Sequence, residues 1–183
     1  MRIIAISGSP RSGNCERLIR EAVEGARSHG AEVEIVLLRN LKFRGCCGRD
    51  QCYYEHICPF NDDIKPIMKK IAECDGIILA SPSYFNNVSG LMKNFMDRTN
   101  PYCKDKKWKG KKVVLIGVGA ATPRSVKKGI KAMREFCWIH RLDVVATGCF
   151  MTEKPKDANQ NAKYLKKARK LGIVLAMAKI RLP

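Results

Sequence analysis

Five short runs rich in Val and Ile recur along the chain, separated by longer stretches of helical period. They are "RIIAIS" (2–7), "EVEIVLL" (32–38), "GIILAS" (76–81), "KVVLIGV" (112–118) and "DVVATGC" (143–149). All but the second are nearly continuous in apolar residues, the pattern of strands buried on both faces, whereas "EVEIVLL" alternates at its start, as a strand near a sheet edge does. Between them, residues 14–29 set Leu18, Ile19, Ala22, Val23 and Ala26 on one stripe. Residues 63–73 do the same with Ile64, Ile67, Met68 and Ile71, with Asp62 or Asp63 as N-cap. Further helices are expected over 89–99, 124–140 and 157–180. Alternating strands and helices imply a parallel sheet with helices on both faces and right-handed crossovers. Five strands favour the order 2-1-3-4-5 over a six-stranded dinucleotide fold. With no internal repeat, linker or low-complexity tract, residues 1–183 read as a single domain.

The net charge is +18. Its lysines are spread through "KPIMKK", "KDKKWKGKK", "VKKGIK" and "YLKKARK", on the polar sides of helices and in one loop. No motif interleaves them with aromatics, so a solvated basic surface is expected, one that attracts an acidic electron carrier or a phosphorylated cofactor. Specific nucleic-acid binding is not. No apolar run reaches the roughly 18–20 residues that span a bilayer, and "MRIIAISGSP" lacks a signal-peptide layout. The expected setting is the cytoplasm, without a membrane partner. Thiols stay reduced there, so nine cysteines favour metal or redox roles over a disulfide framework.

In open α/β sheets, ligands bind beyond the carboxyl ends of the strands. The first strand ends in "SGSPRSGNCERL" (7–18), which is neither a Walker A loop nor G-x-G-x-x-G. It offers Ser7, Ser9, Arg11, Ser12 and Asn14 beside the free N–H groups of a helix start, a cradle for a terminal phosphate dianion. A phosphatase of the Cys-x5-Arg type is excluded, because the Arg position counted from Cys15 holds Glu21.

The third strand runs into "SPSYFNNVSGLMKNFMDR" (81–98). Ser-Pro-x-Tyr-Phe, then Val-Ser-Gly, a Lys and Asp-Arg, resembles the NAD(P)H-dependent FMN reductase superfamily. Taken with "GSPR", the cysteine-rich loop and "DD", the chain looks most like the iron–sulfur flavoproteins, over roughly residues 1–150. The resemblance implies a flavodoxin-like three-layer sandwich and an FMN-dependent oxidoreductase. It assigns the FMN phosphate to Ser9, Arg11, Ser12, Asn14 and Cys15, the last standing where the family usually has Thr. Pro82, Ser83, Tyr84, Phe85 and Asn86 would line the isoalloxazine edge and ribityl chain. Gly117 and Gly119 fit the third loop, "GVGAATPRS" (117–125), while Ala120, Ala121 and Pro123 depart from the family's glycine-richer turn. No catalytic side chain is assigned, since the flavin carries the chemistry. Asp97 and Arg98 read as structural, and His29, His56 and His140 as surface or capping residues. Members are typically homodimers or homotetramers.

The long connection 43–60, "FRGCCGRDQCYYEHICPF", holds Cys46, Cys47, Cys52 and Cys58. The iron–sulfur flavoproteins carry Cys-x2-Cys-x2-Cys-x5-Cys at this place. Cys46, Cys52 and Cys58 fall in register, Arg49 occupies the second position, and Cys47 stands two residues early. A [4Fe–4S] cluster on all four cysteines needs a bend at Cys46–Cys47, which Gly45 and Gly48 permit. Zinc, or free, disulfide-forming or redox-active thiols, are the other chemistries of such a loop. Cys74, Cys137 and Cys149 read as buried core thiols, and Cys103, in the Lys-rich loop, as exposed. Three functions follow. Electrons could pass from a ferredoxin-like donor or NAD(P)H through a cluster and FMN to a small acceptor. A cluster-free NAD(P)H-dependent FMN or quinone reductase is the alternative, and a non-catalytic flavin- or nucleic-acid-binding module the third.

Overall fold

The computed structural model describes residues 1–154 and 156–178. Strands β1 (Arg2–Ser7), β2 (Glu32–Leu37), β3 (Gly76–Pro82), β4 (Lys112–Gly119) and β5 (Asp143–Met151) form one parallel sheet in the order β2-β1-β3-β4-β5. The helices are α1 (Asn14–Arg27), α2 (Gln51–Glu55), α3 (Ile64–Glu73), α4 (Gly90–Asp97), α5 (Pro123–Ile139), α6 (Asp157–Gln160) and α7 (Ala162–Met177).

Every residue of the α1 stripe is fully buried, because a 3.6-residue period keeps Leu18, Ile19, Ala22, Val23 and Ala26 against the sheet. On that face they meet Ile3, Ala5, Ile78, Val114, Ile116 and α7. The opposite face packs Ile4, Ile6, Ile77, Leu79 and Leu115 against α3, α4 and α5. α1 and α7 approach so closely that a Cβ on Gly172 would lie 1.7 Å from the Ala22 carbonyl oxygen. One on Gly25 would lie 2.0 Å from that of Arg169.

Some expectations change. β5 is the second edge of the sheet, as the order 2-1-3-4-5 requires, but its apolar run is not buried on both faces: its middle is only half-buried, and Cys149 with it. The helix expected over 157–180 breaks at Asn161, whose extended backbone (ψ 89°) ends α6 while its side chain accepts the Tyr164 N–H that starts α7. Positions 179–180 lie outside the described residues. Asp63 occupies the N-cap position of α3 without capping it. Its carboxylate instead accepts the Lys42 N–H (2.7 Å), and that of Asp62 accepts the Arg44 N–H (3.1 Å).

Candidate functional site

The loops after β1, β3 and β4 gather at one end of the sheet. The β1 loop approaches α4 so tightly that a Cβ on Gly8 would sit 2.6 Å from that of Met92. Ser89 clips the two loops together: its hydroxyl donates to the Gly8 carbonyl, and its N–H donates to Ser81 Oγ (3.1 Å). The same hydroxyl accepts the Met92 N–H and so caps α4. In sequence Ser89 stands out only as part of Val-Ser-Gly, at the start of the helix expected over 89–99; the clip joins residues 81 apart in the chain.

Within the β1 loop, Ser9 is buried and its hydroxyl donates to the Arg11 carbonyl (2.7 Å), which curls the loop. Arg11 and Ser12 are exposed. α1 begins after Gly13 with no side-chain cap, so its first N–H groups lack side-chain acceptors. Glu16 in that first turn is neutralised by Arg20 (2.7 Å) and Arg39 (2.6 Å). Burial works to raise its carboxyl pKa, and the two guanidiniums and Ser12 outweigh that and hold it below the usual carboxylate range.

Two residues assigned to the phosphate have their side chains elsewhere. Asn14 donates to the Lys154 carbonyl (2.8 Å) and accepts the Ala158 N–H (3.0 Å), tying α1 to the segment after β5. The Cys15 thiol turns into the core, 3.8 Å from Ser7 Oγ, and burial pushes it up to about 12. At these two positions the side chain is thus engaged within the protein, and only the backbone N–H is left for the phosphate assigned to them from the sequence.

After β3, residues 84–87 make a tight turn in which Tyr84 and Asn87 exchange both backbone hydrogen bonds (3.0 Å each). Phe85 (φ 49°) and Asn86 (φ 63°) are both left-handed, and Phe85 is fully exposed. Ser83 bonds the Val118 carbonyl through its N–H (2.7 Å) and meets Ser125 Oγ (2.9 Å), so the β3 and β4 loops are also fastened. Pro82 is half-buried at the end of β3. Gly117 and Gly119 are glycines because α5 lies against them: a Cβ at either would meet Val126 or Ile130 within 2.9 Å.

The cysteine connection folds back against α4 and the turn that follows it. Gly48 takes φ 71°, the bend beside Cys46–Cys47, and its N–H donates to Cys46 Sγ (3.4 Å). Cys46 and Cys47 are exposed, Cys58 is half-buried and Cys52 is buried. All four line one narrow pocket of about 10 Å³, together with Arg49, Phe60 and Arg98. Cys52 donates to the Arg49 carbonyl (3.1 Å) and receives the Asn100 amide (3.4 Å). Arg98, 1% exposed, forks onto Asp62 (2.8 and 2.9 Å), donates to the Arg44 carbonyl (2.7 Å), and stacks over Phe60. Burial acts to raise the Asp62 carboxyl, but Arg98 and the Arg44 N–H hold it below the usual range. Among the described residues, no three His, Cys, Asp or Glu side chains converge on a point that would hold a single metal ion.

Cys103 is buried, against expectation, because Trp108 anchors the Lys-rich loop in the core. It meets His140 Nε2 at 3.4 Å, a Cys–His contact between positions 37 apart in sequence. His140 is itself buried, 2.8 Å from Thr99 Oγ1 and stacked on Trp108. Burial first, then the Lys106 charge, depresses its pKa to about 4, and burial raises that of Cys103. A neutral imidazole beside a protonated thiol is a packing pair, not an activated nucleophile.

A five-stranded parallel sheet in this order, with three clipped loops beyond its carboxyl edge, is the architecture of a flavodoxin-like protein. An archaeal flavodoxin structure shares it, with a TM-score of 0.65 at 17% identity over 96% of each chain. Residues 1–157 match the model of the NADPH-dependent FMN reductase family, and the chain belongs to that family of flavin-dependent oxidoreductases. It is 35% identical to an iron-sulfur flavoprotein of Methanocaldococcus jannaschii over 94% of each chain. To an iron-sulfur flavoprotein of Methanosarcina thermophila it is 33% identical, over 79% of this chain and 77% of the other. Among the described residues no helix is long and apolar enough to cross a membrane.

Proposed function

We propose that this oxidoreductase holds the FMN phosphate in the loop 7–15 and a [4Fe–4S] cluster on Cys46, Cys47, Cys52 and Cys58. It would pass electrons from an acidic, ferredoxin-like carrier or NAD(P)H to a small acceptor. The observation that carries the phosphate assignment is the uncapped start of α1 beside the exposed Arg11 and Ser12. A dianion there meets unpaired N–H groups, the positive end of the helix and a guanidinium. Ser9 keeps the loop curled, and the backbones of Asn14 and Cys15 add donors. Pro82, Ser83, Tyr84, Phe85 and Asn86 then face the isoalloxazine ring and ribityl chain, with the exposed aromatic rings as its wall. Gly117 and Gly119 act indirectly, by letting α5 seat the β4 loop.

FMN held there would supply the redox chemistry, since a flavin exchanges electrons singly or in pairs. The four cysteines fit a cluster by chemistry and by their shared pocket, since a cubane takes one thiolate at each of four separated corners, not four at one point. The bend at Gly48 is what lets neighbouring Cys46 and Cys47 serve together. The exposure of those two thiols favours the second reading, a cluster-free NAD(P)H-dependent reductase.

Anaerobic purification followed by a visible spectrum and an iron assay separates them. The first reading requires flavin bands, a broad cluster absorption and about four irons per chain. Flavin bands without iron leave the second. A colourless protein that takes up no FMN overturns both. Sedimentation should find a homodimer or homotetramer.

A further inference from the structure

The Asp62–Arg98 pair is more than a loop fastener. Arg98 is 1% exposed, yet its Nε has no hydrogen-bond partner among the described residues. A buried guanidinium normally satisfies each of its donors, and an orphaned one is costly to leave unmet. Asp62 and the Arg44 carbonyl occupy the far end of the fork, and the side chain lines the cysteine pocket. Cys58 lines the same pocket as the guanidinium. No acidic group other than Asp62 bonds it among the described residues, and that carboxylate is already shared with a backbone N–H.

We propose that Arg98 is the charge-compensating donor of the cysteine pocket, holding its guanidinium against the sulfur of Cys58 and offsetting the negative charge gathered when four thiolates bind a cluster. The inference rests on the cluster reading above. A fixed cation with N–H donors directed at sulfur makes the anionic, reduced form easier to reach and slows ligand loss. Phe60, over whose ring the guanidinium lies, lines the same pocket.

The test uses the full chain, reconstituted anaerobically with iron and sulfide, in wild type, Arg98→Lys, Arg98→Gln and the double variant Asp62→Leu/Arg98→Met. The double variant replaces the buried ion pair with apolar groups and so guards against simple misfolding; FMN affinity reports an intact fold. Three readouts apply: irons per chain, the rate of iron loss to a chelator, and the cluster's midpoint potential. Arg98→Gln and the double variant should lose iron about 10-fold faster and show a more negative potential. Arg98→Lys should fall between them and wild type. Variants that bind FMN normally and keep the wild-type potential and iron retention overturn the inference while leaving the cluster reading standing. Wild-type protein that takes up FMN but no iron overturns both.

Discussion

His140 is held neutral by its surroundings: packed between Trp108 and Phe136, it titrates near 4 in the folded chain and near 6.5 when unfolded. Between those values the unfolded state binds the extra proton, so stability falls as pH drops from about 6.5 to about 4, by on the order of 2–3 kcal/mol in total. Urea midpoints measured across that window should show the slope in wild type and a flatter profile in His140→Gln. Phe85 presents the reverse situation, an aromatic ring in the left-handed region with no neighbours to justify it. Such a conformation costs roughly 1 kcal/mol for a residue with a Cβ. Phe85→Gly should therefore raise stability by about 0.5–1 kcal/mol, less than the full strain because glycine also loosens the unfolded chain. It should also lower kcat/KM for flavin-dependent turnover. Thermal unfolding and steady-state kinetics on the same preparation check both halves.

The pairing of α1 with α7 depends on two glycines whose absent Cβ atoms give room to backbone carbonyls. A carbonyl cannot swing aside as a side-chain tip does, so Gly172→Ala should cost about 3 kcal/mol or more and be visible as a lowered denaturant midpoint. Removing the cap that starts α7, by Asn161→Ala, should cost only about 1 kcal/mol. These helices also mark what the amino-acid pattern can and cannot convey. The α1 stripe and the edge position of β2 were legible, because local period and alternation report directly which face meets the core. The break at Asn161 was not, since helical patterning continues through it and one side-chain cap decides the matter. For β5 the strand order implies an edge, but its apolar run reads as buried on both faces, so local composition misreports its exposure. At the site, the β1 loop and the cysteines stood out by residue type. The Asp62–Arg98 fork, the Ser89 clip and the Cys103–His140 contact join positions between 36 and 81 apart, so no local pattern announces them. Asp62 and Asp63 show the ambiguity well: two carboxylates ahead of a helix read as caps, and it took the folded loop to supply better donors.

Taken as one charged body, the molecule carries +18. Lys104 lies over the exposed Tyr54 ring and Lys107 over Tyr102, setting cations beside the cysteine connection. If an acidic protein delivers the electrons, its association rate should fall about 10-fold or more between low and physiological ionic strength, because screening shortens the reach of the attraction to about 8 Å. Stopped-flow reduction by an acidic carrier at several salt concentrations measures this; a flat profile assigns the basic surface no role in encounter. The α1–α7 contact has a further bearing on how the protein comes into being. The helix whose start offers the phosphate donors leans on the last helix of the described chain, and Asn14 is tied to the segment just ahead of it. On the ribosome, residues 1–27 emerge well before residues 162–177 and lack their supporting neighbour until those have cleared the exit tunnel. With the phosphate held there as proposed, cofactor capture waits for α7, and a nascent polypeptide stalled before α7 should be pale where one extended beyond it is yellow.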